Sequence, residues 1–117
     1  MLPEKRLQEF RQHLEAERQR LDNHIADLTE MLRLEDREIG SGEDDADIAA
    51  RAVAYNGVMI LLESEQQTLE DVEAALRAMD EGTYGSCAVC GEKIGLARLK
   101  ARPYARLCVT CQERESG

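Results

Sequence analysis

The chain has 117 residues, with one Phe, three Tyr and no Trp, and a formal net charge of −9. Short chains bury too little surface to be stable without a metal, disulfides or a partner, and the side chains that bury most area are nearly absent. A broad globular core is therefore excluded, and the apolar residues must lie in a narrow seam. The charge is unevenly divided: residues 1–81 hold 9 Lys or Arg and 21 Asp or Glu, net −12, whereas residues 82–117 hold 6 and 3, net +3. Phosphate backbones reward clustered cations through counterion release. An acidic body with a weakly basic end is a poor fit to DNA, and a protein partner is the expectation.

The opening MLPEKRLQEF carries charges where a signal peptide needs an apolar run, and no later run is apolar enough to span a membrane. The expected location is the cytoplasm, where a reducing environment favours metal binding over disulfides for the four cysteines. From Pro3 to about Ile39 the sequence predicts one long helix, with Pro3 at a first helical position and Glu4 near the positive end of the dipole. Leu7, Leu14, Leu21 and Leu28 recur every seventh residue, accompanied by Phe10, Ile25, Met31, Leu32 and Ile39. Glu17 and His24 interrupt the companion row, so packing is expected to be imperfect there.

Gly40-Ser41-Gly42 breaks the helix, and the acidic Glu43-Asp44-Asp45 leads into a second, expected over about Asp45 to Met79. Its heptad reads Ile48, Ala52, Tyr55, Met59, Leu62, polar Gln66, Leu69 and Leu76, with Val72 and Met79 beside the line. Two helices of similar length joined by a short loop return antiparallel, each arm on the order of 50 Å long at about 1.5 Å per residue. Such length implies reach, although periodicity alone equally allows a helical spacer or a dimerising coiled coil. At the tip, Asp44 suits the N-cap and Asp47 the third helical position of a capping box, with Ala49 following. Capping does not account for seven acids against one base, Arg37, between Glu35 and Asp47.

Past Gly82, a helix terminator, Cys87, Cys90, Cys108 and Cys111 form two C-x2-C pairs. Paired thiolates at this spacing supply a closed tetrahedral site for one zinc, structural because no ligand position is left for water. Gly85 and Gly91 flank the first pair where the chain turns, and Ile94, Leu96, Leu99 and Leu107 offer a minimal core. His13 and His24 lie far along the chain and read as ordinary helix residues. The fold expected is mainly α: a long antiparallel helical hairpin over 1–81, with its acidic tip near 40–47, then a four-cysteine zinc finger and short C-terminal helix over 82–117.

The finger, read as GxYGxCxxCGxxIGxxRLxARPxAxxCxxCQ from Gly82 to Gln112, and the tip pattern Asp44, Asp47, Ala49 resemble the DksA/TraR regulators of bacterial RNA polymerase. The pairs Ile94-Gly95 and Arg98-Leu99 and the turn Ala101, Arg102, Pro103 carry the match, which covers residues 41–112 closely and the first helix by pattern alone. The resemblance implies a transcription regulator, not an enzyme. It implies a hairpin that enters the polymerase secondary channel, brings the acidic tip near the catalytic centre and alters promoter-complex lifetime, while the finger and hairpin base hold the rim. Some members are strengthened by the alarmone guanosine tetraphosphate, held by two lysines and the arginine matching Arg102. Here the lysine positions hold Asp71 and Gln112, so alarmone help is expected to be weak or not required.

Two other functions fit parts of the sequence. A zinc-dependent redox sensor or scaffold could bind another protein through the coiled coil. A nucleic-acid-binding zinc ribbon could use Lys93, Arg98, Lys100, Arg102 and Arg106, but has only Tyr84 and Tyr104 for stacking. An enzyme is disfavoured by the closed metal site and the lack of a nucleophile–His pair or phosphate loop.

Overall fold

The computed structural model describes residues 2–38 and 44–116; the expected Gly40-Ser41-Gly42 break, Ile39 and Glu43 lie outside them. Helix α1 spans Glu4–Glu38 and α2 spans Asp45–Glu81, followed by the short α3, Leu96–Ala101, and α4, Val109–Ser116. The long axis of the molecule is 61 Å. Both long helices form because neither contains proline and their apolar residues recur at helical spacing. Helix α2 begins where the Asp44 side chain, on extended backbone, accepts from the Asp47 N–H at 2.9 Å. It ends at Gly82, whose φ of 79° is left-handed and whose N–H caps Ala78 and Met79.

The two arms pack antiparallel through apolar clusters strung along the seam. Leu14, Leu21, Val72, Ala75 and Leu76 are buried in the middle cluster, and Leu28, Leu32 and Leu62 in the distal one. The expected heptad holds in α1 at Leu14, Leu21, Leu28 and Leu32 and in α2 at Tyr55, Met59, Leu62, Leu69, Val72 and Leu76. It fails toward the tip. Met31 is 50% exposed, Ile48 is 47% exposed and Ala52 faces solvent, while Val58 joins the distal cluster instead; nearer the base, polar Gln66 also faces solvent. A straight helix drifts about 20° per strict heptad, so a row aligned at the base rotates off the seam. Near the described end of α1 the half-buried residue is Glu35, not an apolar partner.

Where Glu17 and His24 interrupt the seam, the arms meet through polar contacts. Arg20 bonds Glu17 at 2.7 Å and approaches Glu65 of α2 at 4.0 Å, and His24 Nδ1 lies 3.5 Å from Glu65. The hydrogen bond from Arg20 lowers the Glu17 pKa against the opposing effect of burial. At the base, Arg11 pairs with Asp80 at 2.8 Å. Below that pair, Phe10 of α1 enters a cluster with Cys87, Ile94, Leu99, Ala105 and Cys111, so the hairpin and the finger share apolar packing. Of the expected finger core, Leu107 is half-buried and Leu96 is 36% exposed.

Candidate functional site

The finger is organised by backbone turns around its cysteines. Ile94 N–H donates to Gly85 O at 2.8 Å and Cys87 N–H to Glu92 O at 2.7 Å, closing a small loop that is pinned by an isolated bridge between Ser86 and Lys93. Gly91 N–H returns to Cys87 O at 3.0 Å with a φ of 77°, a conformation L side chains rarely adopt, so the turn around the first cysteine pair needs glycine there. The second pair is presented from the start of a helix and not from a glycine turn. Cys108 stands just before α4 and Cys111 within its first turn, with Gln112 N–H bonded to Cys108 O. An i, i+3 spacing on a helix places both thiols on one face, which meets the same requirement.

All four sulfurs lie within 4.8 Å of one another, and among the described residues this is the group of His, Cys, Asp or Glu side chains that converges as a metal site. Zinc–sulfur bonds of about 2.3 Å in a tetrahedron set sulfurs about 3.8 Å apart; Cys90 and Cys108 stand at 3.7 Å. Cys87 and Cys111 are buried, Cys108 half-buried and Cys90 exposed. The Cys90 N–H, then the Cys108 N–H, stabilise the Cys87 thiolate and lower its pKa to about 6. The Cys87 sulfur, followed by burial, pushes Cys111 up to about 12. Four sulfur donors converging at this spacing suit a dication, which would neutralise the negative charge that thiolates so crowded would carry. His13 is exposed on α1 and His24 faces Glu65, neither of them near this cluster.

Tyr84 has a structural part that the sequence reading missed. Its ring lies 5.8 Å from that of Phe10, and its hydroxyl donates to Pro103 O at 2.8 Å. Burial raises its pKa strongly. It ties α1 to the finger and is not a free stacking platform; its only sequence signal was its place between Gly82 and Gly85. Arg98 is similarly engaged, its Nε donating to Leu107 O at 2.9 Å.

Arg102 lines a cleft of 360 Å³ between finger and α2, together with Asp71, Arg98, Arg106 and Gln112. The three positions compared for alarmone binding therefore meet in space. Asp71 is countered by Arg106 at 3.8 Å, a contact the sequence did not suggest. Arg102 itself sits over the Tyr104 ring at 5.8 Å. At the opposite end, Asp47 and Ala49 are exposed in the first turns of α2, and Asp44 is its N-cap.

Comparison with known proteins agrees with this architecture. Residues 82–117 match the prokaryotic dksA/traR C4-type zinc finger. Over 109 residues the sequence is 32% identical to the RNA polymerase-binding transcription factor DksA of Escherichia coli (strain K12), covering 93% of this chain and 70% of that protein. It is 40% identical over 75 residues to DksA of Caulobacter vibrioides (strain NA1000 / CB15N) and 35% identical over 75 residues to DksA of Haemophilus influenzae. This chain spans about half the length of those two relatives, 53% and 52%. The transcription factor DksA2 from Pseudomonas aeruginosa superposes with a TM-score of 0.73 at 36% identity, over 92% of this chain and 80% of that one. With sequence and fold both shared along nearly its whole length, the chain belongs to the DksA/TraR family.

Proposed function

We propose that this protein regulates transcription by binding RNA polymerase through the secondary channel, with residues 1–81 as the inserted arm and 82–117 as the module that seats it at the rim. The observation that carries this reading is the separation of parts along a 61 Å molecule: an acid-capped tip at one end, a cysteine-clustered finger at the other. Relatives named as RNA polymerase-binding factors support the partner. One zinc held by Cys87, Cys90, Cys108 and Cys111 keeps the finger folded, a structural role that supplies folding free energy and no bond chemistry. DNA contact is not part of the action: the chain carries −9, Arg98 is bonded within the finger, and Tyr84 is packed inside.

Asp44 and Asp47 are the effector residues in this reading, acting on promoter-complex stability through charge and hydrogen bonding at the catalytic centre, while the small Ala49 permits close approach. Asp44→Asn keeps a cap nearly as good as the native one, so it separates effector from structural roles. Run-off transcription from a sensitive promoter is expected to lose its response in Asp44→Asn and Asp47→Asn, with polymerase binding retained. An unchanged response in both variants refutes an effector role. The alarmone is weakly used or not required, because Asp71 and Gln112 stand where cationic donors are needed. Addition of guanosine tetraphosphate to a polymerase lacking its own alarmone site should leave this protein's effect unchanged; a large enhancement refutes the expectation.

A further inference from the structure

The seam between the arms is apolar on either side of one polar layer. Leu21 and Leu28 of α1 bracket His24, and Leu62 and Leu69 of α2 bracket Glu65. His24 Nδ1 stands 3.5 Å from a carboxylate oxygen of Glu65, with the two side chains 37% and 17% exposed. Nδ1 of His24 and Oε2 of Glu65 are both buried, and neither has a hydrogen-bond partner among the described residues. Buried polar atoms are nearly always paired, because an unpaired one has given up its bonds to water for nothing. Two such atoms in one layer, one from each arm, leave room for a third participant that binds both.

A proton on Nδ1 is the simplest participant, but the separation is at the far limit of a hydrogen bond and the atoms do not form one. A metal ion fits the distance better. With Zn–N of about 2.0–2.1 Å and Zn–O of about 2.0–2.2 Å, adjacent ligands of a tetrahedral zinc stand about 3.3–3.5 Å apart. The donor types agree, since imidazole nitrogen and carboxylate both bind zinc, whereas magnesium and calcium take oxygen ligands. One feature opposes a cation: the Arg20 guanidinium is 4.0 Å from Glu65. It is committed elsewhere, however, through two hydrogen bonds to Glu17 at 2.7 and 3.2 Å, which leaves Glu65 weakly engaged. His24 is also exposed enough for an ion to reach it from solvent.

We propose that His24 and Glu65 form a second metal site, which holds a divalent transition ion of the zinc type between the two arms, with water completing its coordination. The donors stand on opposite helices that the leucines on either side already pack together, so the pair is set before the ion arrives. Binding at this layer ties α1 to α2 where the apolar seam is interrupted, and an ion that binds the paired arms and not the unfolded chain stabilises the hairpin. The site is separate from the four cysteines and does not depend on the polymerase reading. The sequence reading of His24 as an ordinary helix residue missed it because the second donor comes from the returning arm.

The test is calorimetric titration of zinc into the full chain whose finger is already loaded, at about pH 7.5, where most imidazole is neutral and free to bind metal. One further zinc per chain is expected, with a rise in the melting temperature of the helices that magnesium at the same concentration does not give. His24→Gln and Glu65→Gln keep the layer polar, so helix signal and finger zinc should match the unaltered protein. Each is expected to weaken the second site by about tenfold or more. His13→Gln changes the other histidine of α1 and should leave binding within about twofold. Arg20→Gln removes the opposing cation and frees the Glu17 carboxylate, and is expected to tighten binding by about threefold or more. Absence of a further zinc in the unaltered protein overturns the site and leaves His24 and Glu65 as a simple contact. A further zinc that is lost in His13→Gln, or that survives both His24→Gln and Glu65→Gln, is scattered surface binding and equally overturns it.

Discussion

Tyr84 joins parts of the molecule that are far apart in sequence, its ring against Phe10 of α1 and its hydroxyl on the carbonyl of Pro103. Tyr84→Phe keeps the ring and removes a half-buried hydrogen bond, so thermal or urea unfolding should show a loss of about 1 kcal/mol; an unchanged midpoint shows that the hydroxyl contributes nothing. This role was not legible in the sequence, because a tyrosine between two glycines says nothing about which distant carbonyl it will reach. The cysteines were legible, since two C-x2-C pairs predict convergence whatever connects them. The helical presentation of Cys108 and Cys111 was not, because a turn and a helix start satisfy the same spacing. Asp44 was readable as a cap from local chemistry alone, and its 2.9 Å bond to the Asp47 N–H follows from that chemistry.

At the scale of elements, the helices were visible from proline-free length and periodicity, and α2 proved to run two residues past the expected Met79, to Glu81. The distal seam was less visible. A strict heptad predicted burial of Met31 and Ile48, which only a three-dimensional register and the polar end of α1 could rule out. Leu21, with none of its surface exposed, belongs to the middle cluster that joins the arms. Leu21→Ala is expected to cost about 2–5 kcal/mol by loss of burial and creation of a cavity, measured by chemical denaturation of the zinc-loaded chain. A cost below about 1 kcal/mol would mean that the arms do not depend on this seam. The Glu17–Arg20 pair is exposed enough that its contribution is small. Its sign is fixed by the lowered Glu17 pKa: the contribution is present above the ordinary glutamate range and is lost as pH falls through the depressed value.

For the molecule as a whole, the finger and the hairpin base share an apolar cluster that includes Cys87, Cys111 and Phe10, so metal binding at one end bears on the stability of the other. Removing zinc with a chelator should unfold the finger and loosen the base of the hairpin. Circular dichroism should then report a lower melting temperature with partial loss of helix, and added zinc should restore it. Each thiol that loses a proton to the metal makes loading weaker as pH falls. A metal-free chain with an unchanged melting profile contradicts this linkage.

The central claim is that the α2 tip reaches the catalytic centre of RNA polymerase. It is tested most directly by a photo-crosslinking amino acid placed at Ala46, which is exposed beside the tip acids. Illumination of the complex with core polymerase should give crosslinks to segments that line the catalytic centre; crosslinks confined to the outer surface of the polymerase, or none from a complex shown to have formed, contradict the claim.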